Sequence, residues 1–511
     1  MRIEPDSIQL SGEGSLQRQL YQALRQPLLS GLWPSGALLP SSRLLASELQ
    51  LSRNTVNAAL AQLVAEGYLQ GQPGRGYCVI TQLPDAYFQA SSGVGPDGLP
   101  NNSVPAANPD RAITPQPFAT STSQQMATPF KTGLLEPGVP DLSAFPYRIW
   151  QRLLQRHASR PLLGVGGDPL GYLPLRQALC LYLQQSRQVH CTEQQILITA
   201  GAQQGLYIAA LLVAARGDKV LMESPGYGRL RQALQLQDLT IGYLNAAGPE
   251  GVVAEDLATW QDCKALFLTP GHQYPMGGIM PLSQRLAILQ WAQQQGCWVV
   301  EDDYDSEFQF KHRPVASLQG LAHGQGVIFV GSFSKTMLPA LRLGYLVAPT
   351  SLIQRAAAIV QAIHGDIPLL TQAALADFIS EGHFSRHLRK MRKLYQQKQQ
   401  RAQQLASRYL PDWQLHALHA GLHLVLRCPA ALQASFDGPS LQQRLAAAGF
   451  APALLSKYQF AGETAAGLVI GIANISESEL KRGLQFIAAE CSPQQDSATT
   501  QHNNTALSEL G

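Results

Sequence analysis

Lys335, at the end of the string SFSK, is the residue of this 511-residue chain best suited to covalent chemistry. It follows an apolar run at residues 327–330 that predicts a strand. A lysine presented from a strand end into a crevice has a lowered pKa, and its neutral amine can form a Schiff base. Ser332 and Ser334 can donate to a phosphate, and Arg342 can add a charge-assisted bond. Taken alone, Lys335 would be an ordinary surface lysine.

The string VVEDDYDSEF supplies possible partners, because two apolar strand residues lead into Asp302, Asp303 and Tyr304. A carboxylate at a strand end, placed against a pyridine, keeps the ring nitrogen protonated and makes the ring an electron sink. Tyr304 can hydrogen-bond an oxygen on such a ring. The alternative is an acidic strand end used for metal binding or solvation, but no partner ligand set stands nearby.

Two more strings have the composition of cofactor-binding turns. ITAGAQQGLYIAA predicts a strand, a small-residue turn and a helix, so Gly201, Ala202 and Gln203 can offer backbone N–H groups to a phosphate. ESPGYGRL places Tyr227 after a Pro-Gly turn, where its ring can stack on a flat cofactor, with Arg229 two residues on. Each string alone is weak evidence, since a plain turn or a packed ring explains it equally well.

The elements that must position these residues alternate between strands and helices. Apolar runs predict strands at residues 196–199, 219–222, 265–268, 298–300 and 327–330, and helical patterns such as 281–295 lie between them. This rhythm indicates a mostly parallel sheet covered by helices.

The N-terminal region predicts three helices and a hairpin. Leu16, Leu20 and Leu24 form one apolar stripe, Ser41 or Ser42 opens a second helix, and Arg53 begins a third. The inward positions of the third helix are Val56, Leu60, Leu63 and Val64, and its outward positions are Arg53, Asn54, Thr55 and Asn57. Such polar residues at the front of a helix can contact bases or phosphates, as can Arg75 at the hairpin tip. The alternative is an ordinary three-helix domain with surface arginines.

The string LPSSRLLASELQLSRNTVNAALAQLVAEGYLQGQPGRGYCV resembles the GntR family of bacterial regulators over almost the whole module. That resemblance implies a winged helix-turn-helix that binds operator DNA. It also implies that Arg43, Arg53 and Arg75 contact phosphates.

The four chemical strings, with GDPLGYLPLRQAL upstream, resemble the fold-type-I enzymes of pyridoxal 5′-phosphate (PLP), the aspartate aminotransferase group. With its GntR-like head, the whole chain resembles the MocR group of regulators. The resemblance implies a head-to-tail homodimer and a PLP Schiff base on Lys335. It further implies Asp302 at the ring nitrogen, Tyr304 near the 3-oxygen, Tyr227 at the ring face, and Arg342, Ser332 and Ser334 at the phosphate.

The chain is therefore predicted to be a multidomain protein. An all-α-rich winged helix-turn-helix at 12–81 and a flexible linker at 82–129 precede an α/β PLP-dependent transferase fold at 130–490. That fold has a mostly parallel sheet and a smaller C-terminal α+β part, and residues 491–511 form a disordered tail. A net charge of +3 means that any DNA site is local.

The composition also indicates the cellular compartment in which the protein acts. Seven cysteines without metal-ligand spacing indicate free thiols in a reducing cytosol and no metal site. We find no signal-peptide pattern and no membrane-spanning run in the sequence. The prediction is a cytoplasmic protein, associated with the nucleoid when it binds DNA.

The chain departs from the aminotransferase pattern at two places. The usual N-P-x-G turn begins with Tyr274, so His272 or Gln273 is expected to replace the asparagine. The late-strand arginine that grips a substrate carboxylate is missing near Val469, and Asn474 occupies the place where GABA-responsive MocR regulators have an arginine. These changes argue against amino-acid transamination and GABA sensing, unless Arg229 or another residue substitutes.

Three functions remain open at this point. The first is a PLP-dependent transcription regulator that senses an amine, an amino acid or PLP itself. The alternative is an active aminotransferase with an accessory DNA-binding head. A binding module that has lost PLP chemistry is third, and the intact Lys335, Asp302 and Arg342 argue against it. The basic string HFSRHLRKMRKLYQQKQQR is a solvated helix face or an auxiliary phosphate-contacting surface.

Overall fold

The computed structural model describes most of residues 15–80 and 133–491, together with residues 3, 8 and 10. Short gaps fall at 30–31, 35, 66–67, 73–75, 165, 311–314, 418–419 and 463–464. The predicted linker, the tail beyond residue 491 and Arg75 lie outside the described residues. Among the helices that are described, none has both the length and the apolar character needed to cross a membrane.

The N-terminal unit, here called the head, is a three-helix domain with a small antiparallel sheet. Its elements are α1 (Leu16–Leu29), β1 (Leu38–Leu39), α2 (Ser42–Glu48), α3 (Arg53–Ala65), β2 (Leu69–Gln72) and β3 (Gly76–Val79). Ser41 caps α2 by accepting a hydrogen bond from the N–H of Leu44. β3 pairs with both β1 and β2, as the wing of a winged helix requires.

The predicted apolar stripes of the head are largely buried. Leu20 and Leu24 of α1 pack with Val56, Leu60 and Leu63 of α3 in one core. Two expectations were wrong. Leu16 is 53% exposed, because it is the first residue of α1, and Val64 is 37% exposed, because one helical step turns it away from Leu63.

The large domain is an α/β unit. Its helices are α4 (Tyr147–Ala158), α5 (Leu173–Arg187), α6 (Ala202–Val213), α7 (Gly228–Leu236), α8 (Leu282–Gln295), α9 (Leu318–Leu321), α10 (Thr350–Ile363), α11 (Leu369–Ser380) and α12 (His383–Tyr409). Its strands are β4 (Ile196–Thr199), β5 (Lys219–Ser224), β6 (Thr240–Asn245), β7 (Cys263–Leu268), β8 (Trp298–Asp303), β9 (Val327–Ser332) and β10 (Gly344–Val347).

These strands form one sheet in the order β4-β10-β9-β8-β7-β5-β6. The five predicted strands are present and parallel in direction, which confirms the mostly parallel sheet. The sequence pattern missed two strands. One is β6, and the other is β10, which runs antiparallel between β4 and β9.

Helices cover both faces of this sheet, because side chains alternate along each buried strand. Leu197, Val300 and Ile328 pack on the side of α6 and α10. Ile198 and Phe329 pack on the opposite side, in a core that includes residues of α4, α5 and α11. The strands are buried on both faces, so their outer ends are the places left for a site.

A smaller antiparallel sheet follows α12. Its elements are β11 (Gln414–His416), β12 (His423–Arg427), α13 (Ala430–Gln433), α14 (Gly438–Ala447), β13 (Ala453–Leu454), β14 (Gly467–Gly471) and α15 (Glu477–Cys491). The strand order is β11-β12-β14-β13. Leu424 and Leu468 face the core with α12 and α15, whereas Val425 and Val469 face the opposite way and pack on Met276 of the large domain.

Candidate functional site

Six strand ends of the large sheet meet at one edge, which we call the site edge. Because β10 is antiparallel, its amino end lies beside the carboxyl ends of β4, β9, β8, β7 and β5. Ligands of open α/β sheets bind outside the carboxyl ends of the strands. The segments that reach this edge carry Gly201, Ala202, Gln203, Arg342, Ser332, Ser334, Lys335, Asp302, Tyr304, His272 and Tyr227.

Lys335 lies in a cleft at the site edge, where its Nζ donates a 2.6 Å hydrogen bond to the carbonyl of Gly138. Burial lowers the pKa of this amine, against the opposing charge of Asp305. Gly138 has a φ of +82°, and a Cβ there would lie 2.5 Å from Nζ. A larger residue at 138 would therefore strain the backbone and displace the amine.

Asp302 stands at the end of β8 with its carboxyl group buried. Its Oδ1 has no hydrogen-bond partner within the described chain. Burial, together with the charges of Asp303, Glu223 and Asp305, raises the pKa of Asp302 to about 8. A cationic N–H donor, such as a protonated pyridine nitrogen, would satisfy this buried acceptor and favour its charged form.

Replacing Asp302 by asparagine is expected to make the stability of the cofactor-free protein less dependent on pH. The folded-state pKa lies above the unfolded one, so stability falls as the pH rises from about 4 to about 8. Asp302→Asn should therefore unfold at a higher temperature than the wild type at about pH 8, and this advantage should vanish near pH 4. Thermal unfolding across this range measures the effect, and parallel curves for the two proteins would contradict it.

The acidic string at the end of β8 also sends side chains into the interior. Asp303 accepts a 2.7 Å hydrogen bond from Arg187 Nε, and both side chains are buried. Glu307 accepts a 2.8 Å hydrogen bond from the Tyr182 hydroxyl and lies 3.7 Å from Arg187. The sequence pattern did not reveal this network, because strand alternation gives the face of a residue but not its distant partner.

His272 connects Tyr304 with Asp305 at the site edge. Its Nδ1 lies 2.9 Å from the Tyr304 hydroxyl and 2.9 and 3.1 Å from the two carboxylate oxygens of Asp305. Gly421 closes over this pair with a φ of +76°, and a Cβ there would lie 2.8 Å from Asp305 Oδ2. His272 and Asp305 therefore fix the Tyr304 phenol at the cleft. Gln273 does not, because its amide donates to the carbonyls of two neighbouring turns.

A cavity of about 700 Å³ is lined by Gln203, Arg229 and Arg342, among other residues. Gly201 precedes α6 with a φ of +89°, and the free N–H groups of the first turn of α6 lie beside this cavity, because Gln203 belongs to that turn. Gln203 Oε1 is buried without a partner, and its Nε2 donates to the Arg229 carbonyl at 3.0 Å. Guanidinium groups and helix N–H donors are suited to a phosphate.

Ser332 and Ser334 form a local turn next to Lys335. Ser332 Oγ accepts a 3.1 Å hydrogen bond from the Ser334 N–H and donates to Ser334 Oγ at 3.0 Å. Ser332 lies opposite Gly344 in the β9–β10 ladder, two residues from Arg342. The β9–β10 register therefore brings the backbone near Arg342 to the same sheet edge as the two serines.

Four partly exposed tyrosines form an aromatic wall at the cleft, namely Tyr227, Tyr274, Tyr304 and Tyr458, and Tyr274 lies at its centre. Its ring centroid is 6.2 Å from that of Tyr227, 5.5 Å from Tyr304 and 5.2 Å from Tyr458. The hydroxyls of Tyr274 and Tyr458 are 3.1 Å apart. Burial raises the pKa of all four phenols, so they are neutral hydroxyls at ordinary pH. Sequence reasoning missed Tyr458, which stands on the small domain without a recognisable motif.

Asn474 is not among the residues gathered around Lys335. Its Oδ1 accepts a 3.3 Å hydrogen bond from the Leu142 N–H. It lines a separate cavity of about 500 Å³ with Asp141 and Lys398. The expected effector role of Asn474 therefore has no support from its position, whereas Arg229 lies beside Tyr227 at the cleft.

The DNA-facing candidates of the head lie at the start of α2 and α3. Arg43, Arg53 and Asn54 are exposed. Thr55 is partly buried, and its hydroxyl is 2.8 Å from Ser52 Oγ, which also accepts the Thr55 N–H. Thr55 therefore helps to cap α3, and the two arginines are the better phosphate contacts.

The basic helix α12 uses several of its cations within the chain. Arg392 donates to the Glu307 carbonyl at 2.8 and 3.0 Å, Lys390 to the Ala144 carbonyl at 3.1 Å, and Lys398 to Asp141 at 2.8 Å. These contacts favour a structural role for most of the helix. The auxiliary DNA surface stays a prediction.

The comparisons with known proteins agree with this geometry. Residues 140–487 match the family model "Aminotransferase class I and II", and residues 16–79 match "Bacterial regulatory proteins, gntR family". The chain is 36% identical to "Probable rhizopine catabolism regulatory protein MocR" of Rhizobium meliloti, over 93% of this chain and 95% of that protein. It is 30% identical to the pyridoxine biosynthesis regulator PdxR of Corynebacterium glutamicum, over 91% and 94% of the two chains.

Among solved structures, the chain is similar to the α-aminoadipate aminotransferase LysN of Thermus thermophilus. The TM-score is 0.64 at 26% identity, covering 70% of this chain and 91% of that one, and that structure contains N-(5′-phosphopyridoxyl)-L-leucine. An aminotransferase fold of this kind implies PLP binding. The orphaned Asp302 Oδ1, the buried Lys335 amine and the cavity with Arg342 all fit that cofactor.

Together, the fold, the candidate site and the family matches define a DNA-binding transcription regulator. Its second domain has the fold of a PLP-dependent aminotransferase. Within this class, the chain belongs to the MocR group of GntR-type regulators.

Proposed function

We propose that the large domain holds PLP covalently through Lys335 Nζ, and that an amine, an amino acid or PLP itself controls DNA binding by the head through this site. The observation that carries the proposal is the buried, unpartnered Oδ1 of Asp302 at the same sheet edge as the buried Lys335 amine. In this proposal the head spans residues 12–81 and the effector domain residues 130–490. The protein acts in the cytoplasm, at the nucleoid when bound to DNA.

Each side chain has a task in this proposal. PLP, when bound, supplies a reactive carbonyl carbon and a ring that withdraws electrons. Asp302 would accept a hydrogen bond from the protonated ring nitrogen, and Tyr304, which His272 holds in place, would donate its hydroxyl to the 3-oxygen. Tyr227 would cover the face of the ring.

The phosphate and the effector have their own partners. The phosphate takes hydrogen bonds from Ser332, Ser334, Arg342 and the first turn of α6 at residues 201–203. Arg229 is a candidate effector contact, because it is exposed beside Tyr227.

The proposal includes a head-to-tail homodimer in which each head lies against the large domain of the partner. A ligand can shift DNA binding only if it has different affinities for two arrangements of this assembly. Size-exclusion chromatography with light scattering tests the dimer, and a monomer at micromolar concentration would contradict it.

The experiment that tests the cofactor and its coupling to DNA uses the full-length protein. PLP is titrated into cofactor-free protein while visible absorbance and binding to its own upstream DNA are followed together. We expect a saturable absorbance band and a change in DNA affinity at the same PLP concentration. A protein that stays colourless, or one whose DNA binding ignores both PLP and every amine tested, would overturn the proposal.

Replacing Arg53 by alanine is expected to weaken binding to all DNA sequences alike and to reduce the slope of log affinity against log salt by about 1. The reason is that a phosphate contact carries charge but no sequence information. Fluorescence anisotropy at several salt concentrations measures the slope. Arg216→Ala, which removes an exposed charge from the large domain, is the control. Equal slopes for the two variants would contradict a phosphate contact by Arg53.

A further inference from the structure

The chain segment at residues 133–145, here called the strap, crosses from the small sheet to the large domain. Near its start, the Leu135 carbonyl accepts a 2.7 Å hydrogen bond from the Gly471 N–H at the end of β14. At its end, Phe145 is buried in the core that includes residues of α4, α5 and α11. The strap is therefore attached at both ends, and the sequence between residues 80 and 133 joins it to the head.

The middle of the strap contacts Lys335. The Gly138 carbonyl accepts the 2.6 Å hydrogen bond from Lys335 Nζ, and Gly138 is the hydrogen-bond partner of this amine among the described residues. A Cβ at position 138 would lie 2.5 Å from Nζ, so the backbone of the strap and the lysine fit closely. A chemical change at the Lys335 nitrogen therefore acts directly on the backbone of the strap.

The second half of the strap is tied to α12 by Asp141. Its N–H donates a 2.9 Å hydrogen bond to the Tyr395 hydroxyl, and its carboxylate accepts one of 2.8 Å from Lys398 Nζ. Lys398 Nζ also donates to the carbonyls of Ala473 and Ile475, which follow β14. The side chain of Lys398 therefore joins the strap both to α12 and to the turn after the small sheet.

Asn474 in that turn adds a further attachment. Its Oδ1 accepts the Leu142 N–H at 3.3 Å, beside the contacts of Asp141. Asn474 does not contact Lys335, but it holds the chain four residues beyond Gly138. The contact of Gly138 with the lysine and the contact of Asn474 with Leu142 are therefore made by one short piece of backbone.

The hydrogen bond between Lys335 and Gly138 depends on the N–H groups of a free amine. When the amine is joined to the carbonyl carbon of PLP, a C=N bond forms, and both hydrogens of the neutral amine leave with the carbonyl oxygen as water. The Gly138 carbonyl then loses the donor that the free amine provides. A backbone carbonyl away from water needs a partner, so this loss favours a different position of the strap.

We propose that Asn474 is a positioning residue that holds the strap on Lys335, and that the strap carries the covalent state of this lysine to the head. The inference rests on the proposed function, to which it adds the route from the cofactor site to the DNA-binding domain. The strap is held at Gly138 while Lys335 is a free amine and is released there when Lys335 is joined to PLP. An amine ligand that takes the carbon from Lys335 returns two hydrogens to its nitrogen and restores the contact.

The test compares two ligands of the full-length protein that differ in the group able to react with Lys335. PLP has a carbonyl, whereas pyridoxamine 5′-phosphate has an amine in its place and leaves Lys335 free. Hydrogen exchange of the strap amides is measured by mass spectrometry at saturation with each ligand, with α8 as the internal reference. We expect the strap amides to exchange about threefold or more faster with PLP than with pyridoxamine 5′-phosphate.

The same two samples report on the head. Affinity for the upstream DNA of the protein's own gene is measured by fluorescence anisotropy, and we expect it to differ between the two ligands by about threefold or more. The difference arises because the ligands share the phosphate and the ring but leave Lys335 in different covalent states.

Asn474→Ala provides a second measurement. This variant should keep the PLP affinity of the wild type, because Asn474 lies outside the cofactor contacts. Its strap amides should exchange fast with both ligands, and its DNA affinity should hardly differ between them. Asn245→Ala is the matched control, since it removes an asparagine that accepts the Ala247 N–H at 3.2 Å at the end of β6. It should respond as the wild type does.

The outcomes separate this inference from the proposed function. Strap amides that exchange equally with both ligands, equal DNA affinities, or an Asn474→Ala protein with the wild-type response would each overturn the inference while the cofactor remains. A protein that never acquires the absorbance of PLP would overturn the proposed function instead. If Asn474→Ala does not fold, the two ligands on the wild type still decide.

Discussion

In the Lys335→Ala protein, PLP is expected to wash out completely, so that gel filtration leaves no visible absorbance on the protein. Lys335 is half-buried at the site edge, its Nζ donates to the Gly138 carbonyl, and desolvation lowers the pKa of its amine. Its loss removes the covalent link, while Asp302 and Arg342 keep only a noncovalent affinity. DNA binding by the head should persist but should no longer respond to ligands. Absorbance and anisotropy on the same sample measure both effects.

The matched control for this variant is Lys393→Ala, which removes an exposed lysine from α12. It should retain the absorbance and the ligand response of the wild type. A Lys335→Ala protein that keeps its visible band through gel filtration would contradict this prediction. A protein that loses DNA binding altogether would mean that the fold, and not the cofactor, had failed.

The second large effect is expected on stability, from Arg187→Met. The guanidinium of Arg187 is buried between Asp303 and Glu307, with side-chain exposures of 3%, 6% and 8%. Methionine keeps much of the volume but leaves two buried carboxyl groups without their cation, at a cost of about 3–5 kcal/mol. We expect the thermal midpoint of unfolding to fall by about 4–7 °C. Differential scanning calorimetry of the cofactor-free protein provides the measurement.

Arg216→Met is the control for this loss, because it breaks an exposed ion pair with Asp238. An exposed pair contributes about 0–1 kcal/mol, so its midpoint should hardly change. Adding Asp303→Asn to Arg187→Met should recover part of the lost stability, since the unpaired charge is then removed. Equal midpoints for Arg187→Met and Arg216→Met would contradict the buried network.

Much of the fold was predictable from the sequence, because it rests on local patterns. Apolar runs predicted five strands of the large sheet. The capping serine and the leucine stripes predicted the helices of the head. β10 was missed, because four buried residues carry no periodicity that tells strand from helix. Its antiparallel direction depends on pairing with β4 and β9, and it brings Arg342 to the site edge.

The candidate site also has residues that were predictable from the sequence and residues that were not. Motif residues such as Asp302 and Tyr304 were predictable, because their order along the chain resembles a known family. The partners that fix them were not, since Arg187 and Asp303 are 116 residues apart in sequence. Tyr458 reaches the aromatic wall only because the small domain packs against the large one, and the position of Asn474 depends on the same packing.

In this regulator the two sheets have separate roles, and evolution can change one of them without changing the other. The predicted cofactor contacts stand on the large sheet, where the acidic string at the end of β8 also ties Asp303 into the interior, so few of its positions can change independently. Tyr458 stands on the small domain, in the turn after β13, outside that network. The aromatic side of the cleft can therefore diverge among relatives by exchanging a few side chains of the small domain while cofactor retention is preserved, and the same positions are where an engineered biosensor for a new ligand should be built.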